Sequence, residues 1–306
     1  MSVLDLIVGA RAGQQRDIAR LISRIEDGAT DAREAMAALS GFTGRAHVIG
    51  VTGAPGVGKS TTTSALVTAL RARGNRVAVL AVDPSSPFSG GALLGDRIRM
   101  QQHATDDGVF IRSMASRGHL GGLAATTPQV IRVLDAADFD AVIIETVGVG
   151  QSEVEIAATA DTSIVLIAPG MGDSIQAAKA GILEIGDIFV VNKADRDGAD
   201  TTVRELRHMI ALGQHDGWAP PVLKTVASTG TGIEEVVAAM DEHREWLIGS
   251  GQDRKRRLRR ISDEICALVV GETRARLSVR AAELYALSSA VLDGSMDAYQ
   301  AAEQLS

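Results

Sequence analysis

A single cysteine, Cys266, stands in a chain of 306 residues, so no intrachain disulfide can form. That usage suits a reducing cytosol. Its neighbours Ile265, Ala267, Leu268, Val269 and Val270 predict a small core residue. Aromatic residues make up only 3% of the chain, too few for the stacking platforms of a single-stranded nucleic-acid binder. Basic side chains are in the minority, and the formal net charge of −7 argues against general nucleic-acid binding. No apolar run reaches the length of a membrane span. Residues 1–10 carry Asp5 and no early basic cluster, unlike a secretory signal. Six scattered histidines and one cysteine offer no soft-ligand cluster. What is present, 45% hydrophobic and 23% charged residues, is ordinary for a globular protein with a sizeable core. The length allows one large or two modest domains.

Within that ordinary composition one segment carries explicit chemistry. Gly53-Ala54-Pro55-Gly56-Val57-Gly58-Lys59-Ser60 fits the G-x-x-x-x-G-K-[ST] pattern of a phosphate-binding P-loop. Glycines let successive N–H groups curl inward around an anion, and the helix that follows adds its positive end. Lys59 is placed to reach the β and γ phosphates, Ser60 to take a magnesium site, and Thr61 to continue the cradle. The flanks agree with the motif. Residues 47–52 are a β-rich apolar run. Residues 61–73 carry Leu66, Val67, Ala69 and Leu70 at helical spacing and stop at Gly74.

Around this core the chain predicts three zones. Residues 1–46 read as a helical extension, with Ile18, Leu21, Ile22 and Ile25 as an apolar stripe and a second helix capped by Thr30 or Asp31. Residues 47–250 alternate short Val- and Ile-rich runs (77–82, 109–113, 141–144, 162–168, 188–191, 222–226) with helical segments at 127–137, 173–185, 200–212 and 232–248. That order predicts an α/β fold with a mostly parallel sheet flanked by helices. Ligands of such sheets sit beyond the carboxyl ends of the strands. After Gly249-Ser250-Gly251, residues 251–306 read as a helical arm of two helices, 253–271 and 272–306, whose apolar face includes Leu258, Ile261, Ile265, Leu268 and Val269. The cationic run at 254–260 reads as a solvated helix face.

Asn192-Lys193-Ala194-Asp195 follows the run 188–191 and matches the N-K-x-D pattern that selects guanine. A carboxylate such as Asp195 accepts hydrogen bonds from guanine N1 and N2, which adenine cannot supply. The segment 227–230, including Ser228, resembles a second guanine-contacting loop. Asp83 and Glu145 end apolar strands and Asp96 lies in a glycine-rich loop. All three are candidate magnesium-site acids, a reading favoured over that of a plain cap or turn residue. The segment 145–151 reads as a γ-phosphate sensor through the Gly148 N–H, with Gln151 as a water-orienting candidate. Arg117 and His119 read either as transition-state or metal groups or as plain loop residues. A kinase or transport ATPase and a nickel-inserting GTPase stay open as alternatives.

Several long segments together resemble the MeaB/ArgK GTPases, which are associated with methylmalonyl-CoA mutase. These are residues 83–88, 94–97, 116–123, 145–153 and 192–195, and the similarity covers nearly the whole chain. The resemblance implies a P-loop NTPase fold of the SIMIBI type and a homodimer through the C-terminal arm. It implies GTP/GDP and Mg2+ as ligands, with Lys59, Asp83, Asp96 and Glu145 around magnesium and phosphate. It further implies a partner that is an adenosylcobalamin-dependent acyl-CoA mutase, whose cofactor delivery GTP hydrolysis gates and which the GTPase protects from inactivation. Residues 169–176 match a further switch of the family, with Met171 and Ser174-Ile175 as departures from its pattern, and Ser89 stands where threonine is usual.

Overall fold

In the N-terminal segment local chemistry sets the first helix. In the computed structural model, which describes residues 1–83, 100–115, 126–146, 152–170, 183–213 and 217–305, α1 (Val3–Arg11) opens on a capping box between Ser2 and Asp5. The stripe predicted on α2 (Gln15–Glu26) is buried at Ile18, Leu21, Ile22 and Ile25. The cap expected on α3 (Ala32–Leu39) is not made, because the Asp31 carboxylate pairs with Arg24 of α2 instead. A charge-assisted contact between two helices here outcompetes a local one.

The strands β1 (His47–Gly53), β2 (Val77–Asp83), β3 (Val109–Ala115), β4 (Ala141–Thr146), β5 (Thr162–Ile167), β6 (Ile188–Val191) and β7 (Val222–Lys224) form one seven-stranded sheet in the order β3-β2-β4-β1-β5-β6-β7. Every pairing is parallel. The connections include α4 (Lys59–Ala72), α5 (Thr127–Ala136), α6 (Ser152–Thr159) and α7 (Ala199–Leu212), and α8 (Ile233–Ser250) follows β7. Of the helix expected over 173–185, only the turn Leu183–Ile185 lies among the described residues and is helical.

Side chains alternate between the sheet faces, as the two-residue period requires. On one face Val48, Leu80, Val142 and Ile144 pack with α1, α2, α3 and α5. On the other, Ile49, Val51, Val79, Ile143 and Ile164 pack under α4 and α8. Near the far edge Val165, Ile167, Phe189 and Val191 meet α7. At the amino ends of the strands His47 Nε2 lies 2.7 Å from Thr162 Oγ1, and the same hydroxyl lies 2.9 Å from His243 Nδ1. His243 Nε2 is 3.3 Å from Asp187 Oδ1, and Asp187 Oδ2 accepts the Ser163 N–H at 2.8 Å. Two histidines far apart in sequence therefore meet at one buried hydroxyl and tie α8 to β1, β5 and β6.

The chain divides into two compact units, Met1–Arg254 and Lys255–Ser306. The second holds most of α9 (Gln252–Val279), then α10 (Ala281–Leu292) and α11 (Ala298–Leu305). The expected helix break at Gly271 and Glu272 is absent, since α9 runs through both. A mid-helix glycine costs only about 1 kcal/mol, which is too little to force a stop. Cys266 is exposed on α9 rather than buried in a core, as are Leu258, Ile261, Ile265, Leu268 and Val269.

Candidate nucleotide site

The central position of β1 decides where the site lies. β1 pairs with β4 on one side and β5 on the other, so the loop leaving its carboxyl end opens at the middle of the sheet. Asp135 pins the entry to β1 by accepting the N–H groups of Arg45 at 3.1 Å and Ala46 at 2.9 Å. Gly53 and Gly58 adopt φ of 141° and 101°. A Cβ at Gly53 would fall on the Leu166 carbonyl, and one at Gly58 on Asn192 Nδ2. Only glycine fits both positions.

Residues 53–60 form the loop and enter α4, with Gly58 at its N-cap. Ala54 and Pro55 belong to the same turn, and Val57 is fully buried beneath it. The Lys59 ammonium bends back to the carbonyls of Gly53 at 2.7 Å and Ala54 at 3.2 Å. Ser60 Oγ donates to Glu145 Oε1 at 2.6 Å. Glu145 is 1% exposed and lies level with Val51 of β1 and Ala81 of β2. The serine thus meets one of the three predicted acids, while the lysine turns onto the carbonyls at the end of β1. Asp83 is the last residue of β2, whose carboxyl end borders β4. Thr61 is exposed on the first turn of α4.

Asn192 lies at the end of β6 and is 3% exposed. Its Nδ2 donates to Val57 O at 2.8 Å, while Oδ1 accepts from Thr225 Oγ1 and the Ala227 N–H, each at 3.1 Å. The side chain clamps the P-loop to the loop after β7. Lys193 takes a left-handed φ of 56°, and its ammonium reaches Gly56 O at 2.6 Å. Asp195 and Ser228 are both exposed and flank this clamp in sequence. Sequence reasoning placed Thr225 in a strand run and Ala227 in the guanine-like loop, but not as partners of Asn192. The signal available was position: Thr225 lies in the run 222–226 and Ala227 opens the guanine-like loop 227–230.

Asp96, Gly148 and Gln151 lie outside the described residues, as do Arg117, His119 and residues 171–176. Among the described residues no group of three or more His, Cys, Asp or Glu is arranged to hold a metal ion. No described helix is long and apolar enough to cross a membrane. The assembled groups, a cradle of backbone N–H groups with an ammonium and a hydroxyl–carboxylate pair, can hold a polyphosphate and its counter-ion.

A sequence model of the methylmalonyl-CoA mutase-associated GTPase MeaB family matches residues 18–282. A Pyrococcus horikoshii protein provisionally named a GTPase is 46% identical over 303 residues, covering 98% of this chain and 96% of that protein. The Escherichia coli protein named GTPase ArgK is 42% identical over 221 residues, covering 70% of this chain and 66% of that one. Among solved structures, the crystal structure of LAO/AO transport system kinase superposes with a TM-score of 0.75 at 26% identity, covering 99% of this chain and 96% of that chain.

Proposed function

The chain belongs to the MeaB family of methylmalonyl-CoA mutase-associated GTPases, and from that premise we propose that it binds and hydrolyses GTP as the chaperone of an adenosylcobalamin-dependent acyl-CoA mutase. The observation that carries the nucleotide reading is the Ser60–Glu145 contact of 2.6 Å beside a formed P-loop. Lys59 rests on the loop carbonyls and exchanges them for β and γ phosphate oxygens when nucleotide enters. The backbone N–H groups of the loop and the first turn of α4 bind the phosphates. Asp195 accepts the guanine N1 and N2 hydrogens, Ser228 borders the base, and Asn192 with Lys193 fixes the base-side loop against the P-loop.

The hydroxyl of Ser60 and the carboxylate of Glu145 are hard oxygen donors, the chemistry that magnesium requires. They, with Asp83 and Asp96, are the residues that would hold the ion or its waters. When bound, magnesium neutralises phosphate charge during transfer. Gly148 senses the γ phosphate and Gln151 orients the attacking water, so that loss of the phosphate relaxes the switch and changes affinity for the mutase.

Residues 47–250 act as the GTPase domain, 1–46 as its helical extension, and 251–306 as the arm that pairs two copies. The exposed row of Leu258, Ile261, Ile265, Leu268 and Val269 supports that pairing, because apolar stripes this long call for a partner. Sedimentation checks it. A double exchange of Leu258 and Ile265 to Lys is expected to leave monomers, and an unchanged mass refutes the arm's role.

Steady-state phosphate release tests the main reading. GTP turnover is expected to be slow alone and to rise when purified methylmalonyl-CoA mutase or a related acyl-CoA mutase is added. No binding and no change in turnover with such mutases would remove the partner from the proposal. Asp195→Asn is expected to shift preference from GTP to XTP, since an amide matches the xanthine edge. A preference for ATP over GTP would instead favour the kinase reading, which the name of the superposed structure brings forward.

A further inference from the structure

A groove runs between α2 and the edge strand β3. One compartment of about 620 Å³ is lined by Arg16, Arg20, Arg24 and Arg112, with the Ser23 hydroxyl and Leu6 among the rest. A second, of about 360 Å³, shares Arg16 and Arg112 and extends along β3 through Val109. The first collects four arginines in a chain whose net charge is −7. Arg24 is paired with Asp31 and Arg112 with Glu26. Arg16 and Arg20 are exposed and have no carboxylate partner among the described residues.

β3 ends the sheet and pairs only with β2 among the described strands. The Val77 N–H donates to Gly108 O at 2.9 Å, so Gly108 faces β2. Val109 O accepts from Gln15 Nε2 at 3.1 Å, so Val109 faces outward. Strand alternation then turns the backbone groups of Ile111 and Ser113 outward as well. An outward row of N–H and C=O groups is a template for another strand. Gln15 caps only its first carbonyl.

The helix and the strand run in the same sense, because Gln15 meets Val109 while Ser23 meets Arg112. Arginines at i and i+4 on α2 rise by about 6 Å. Side chains on one face of an added strand repeat every ~6.6 Å. The two periods match over the length of the groove. We infer that this groove docks an extended acidic segment of a partner protein, which adds as a strand beside β3 with alternate carboxylates toward Arg16 and Arg20. Backbone pairing supplies the seat and the arginines select the charge.

The probe is a fluorescein-labelled peptide of alternating Glu and Val, titrated into the full chain with GDP present. Saturable binding is expected, weakening as salt rises. The double variant Arg16→Ala, Arg20→Ala changes exposed side chains and is expected to keep the wild-type melting curve while binding roughly five- to tenfold more weakly. A peptide N-methylated on its β3-facing amides is expected to lose binding, and amide exchange at Ile111 and Ser113 to slow in the unmodified complex. Equal binding of the N-methylated peptide, an unaffected arginine variant, or unchanged exchange at both amides would overturn the inference. So would tripolyphosphate that binds these arginines where the peptide does not, since that outcome marks a small-anion site.

Discussion

Replacing Asn192 with alanine removes the clamp between the P-loop and the loop after β7. The side chain makes three hydrogen bonds, to Val57 O, Thr225 Oγ1 and the Ala227 N–H. A shortened side chain leaves those groups buried without it. Each unsatisfied group costs about 1–3 kcal/mol, and a water entering the space recovers part of that. The Thr225 hydroxyl can rotate to another acceptor, so its share is the smallest. About 3 kcal/mol of lost stability is the working figure. Urea unfolding measures it as a lower midpoint at unchanged slope. The same loss frees the loop around Val57 and Gly58, so fluorescent GDP should dissociate at least tenfold faster. Asn192→Asp separates the two halves of the clamp. It keeps an acceptor for Thr225 and Ala227 but sets an oxygen against Val57 O, so the damage should fall on the P-loop and appear mainly in nucleotide dissociation. An Asn192→Ala protein within about 0.5 kcal/mol of wild type and with unchanged GDP dissociation would refute the clamp.

Thr162→Val keeps the shape of the side chain but removes the hydroxyl between His47 and His243. A loss of about 2–4 kcal/mol is expected in thermal or urea melts, with Thr162→Ser restoring most of it, and equal stability of the valine and serine forms would contradict the network. Gly58→Ala forces a side chain into left-handed backbone and onto Asn192, so GDP affinity should fall tenfold or more while the helical circular dichroism stays intact. Asp106 ties α4 to the start of β3, and the Arg71 guanidinium, with help from the Gly108 N–H, holds its carboxyl below the ordinary 3.8. The folded form thus binds this proton less readily than the unfolded form. The stability that Asp106 adds over Asp106→Asn is therefore full above pH 3.8 and is lost as pH falls through the lowered value. Acid melts of the two proteins should converge as pH falls below the lowered value, and a gap that persists once the carboxylate is protonated would show that its charge is not the source.

All six strands expected after β1 were legible because both sheet faces are covered, which leaves dense Val and Ile runs such as 188–191. Their ends were less legible. β3 and β4 each extend two residues past the expected end, to Ala115 and Thr146, where polar and small residues continue a ladder already started by neighbours. Helix α6 was not singled out, since Ser152–Thr159 is short and its apolar residues show little sidedness. Asp31 reads as a cap from its place before α3, yet only the approach of Arg24 reveals that its carboxylate is engaged elsewhere.

The P-loop, the order of the strands and the guanine-type tetrapeptide were all legible in the chain, because each is written in contiguous residues with local backbone rules. Tertiary structure decided which of those residues meet. It turned Asn192 inward onto Val57 and Thr225, set Ser60 on Glu145, joined His47 to His243 through Thr162, and left the outer edge of β3 beside the arginines of α2. Those contacts join residues far apart in the chain, and no local propensity encodes them. They arise when parallel strands align in register and bring distant strand ends to one level of the sheet.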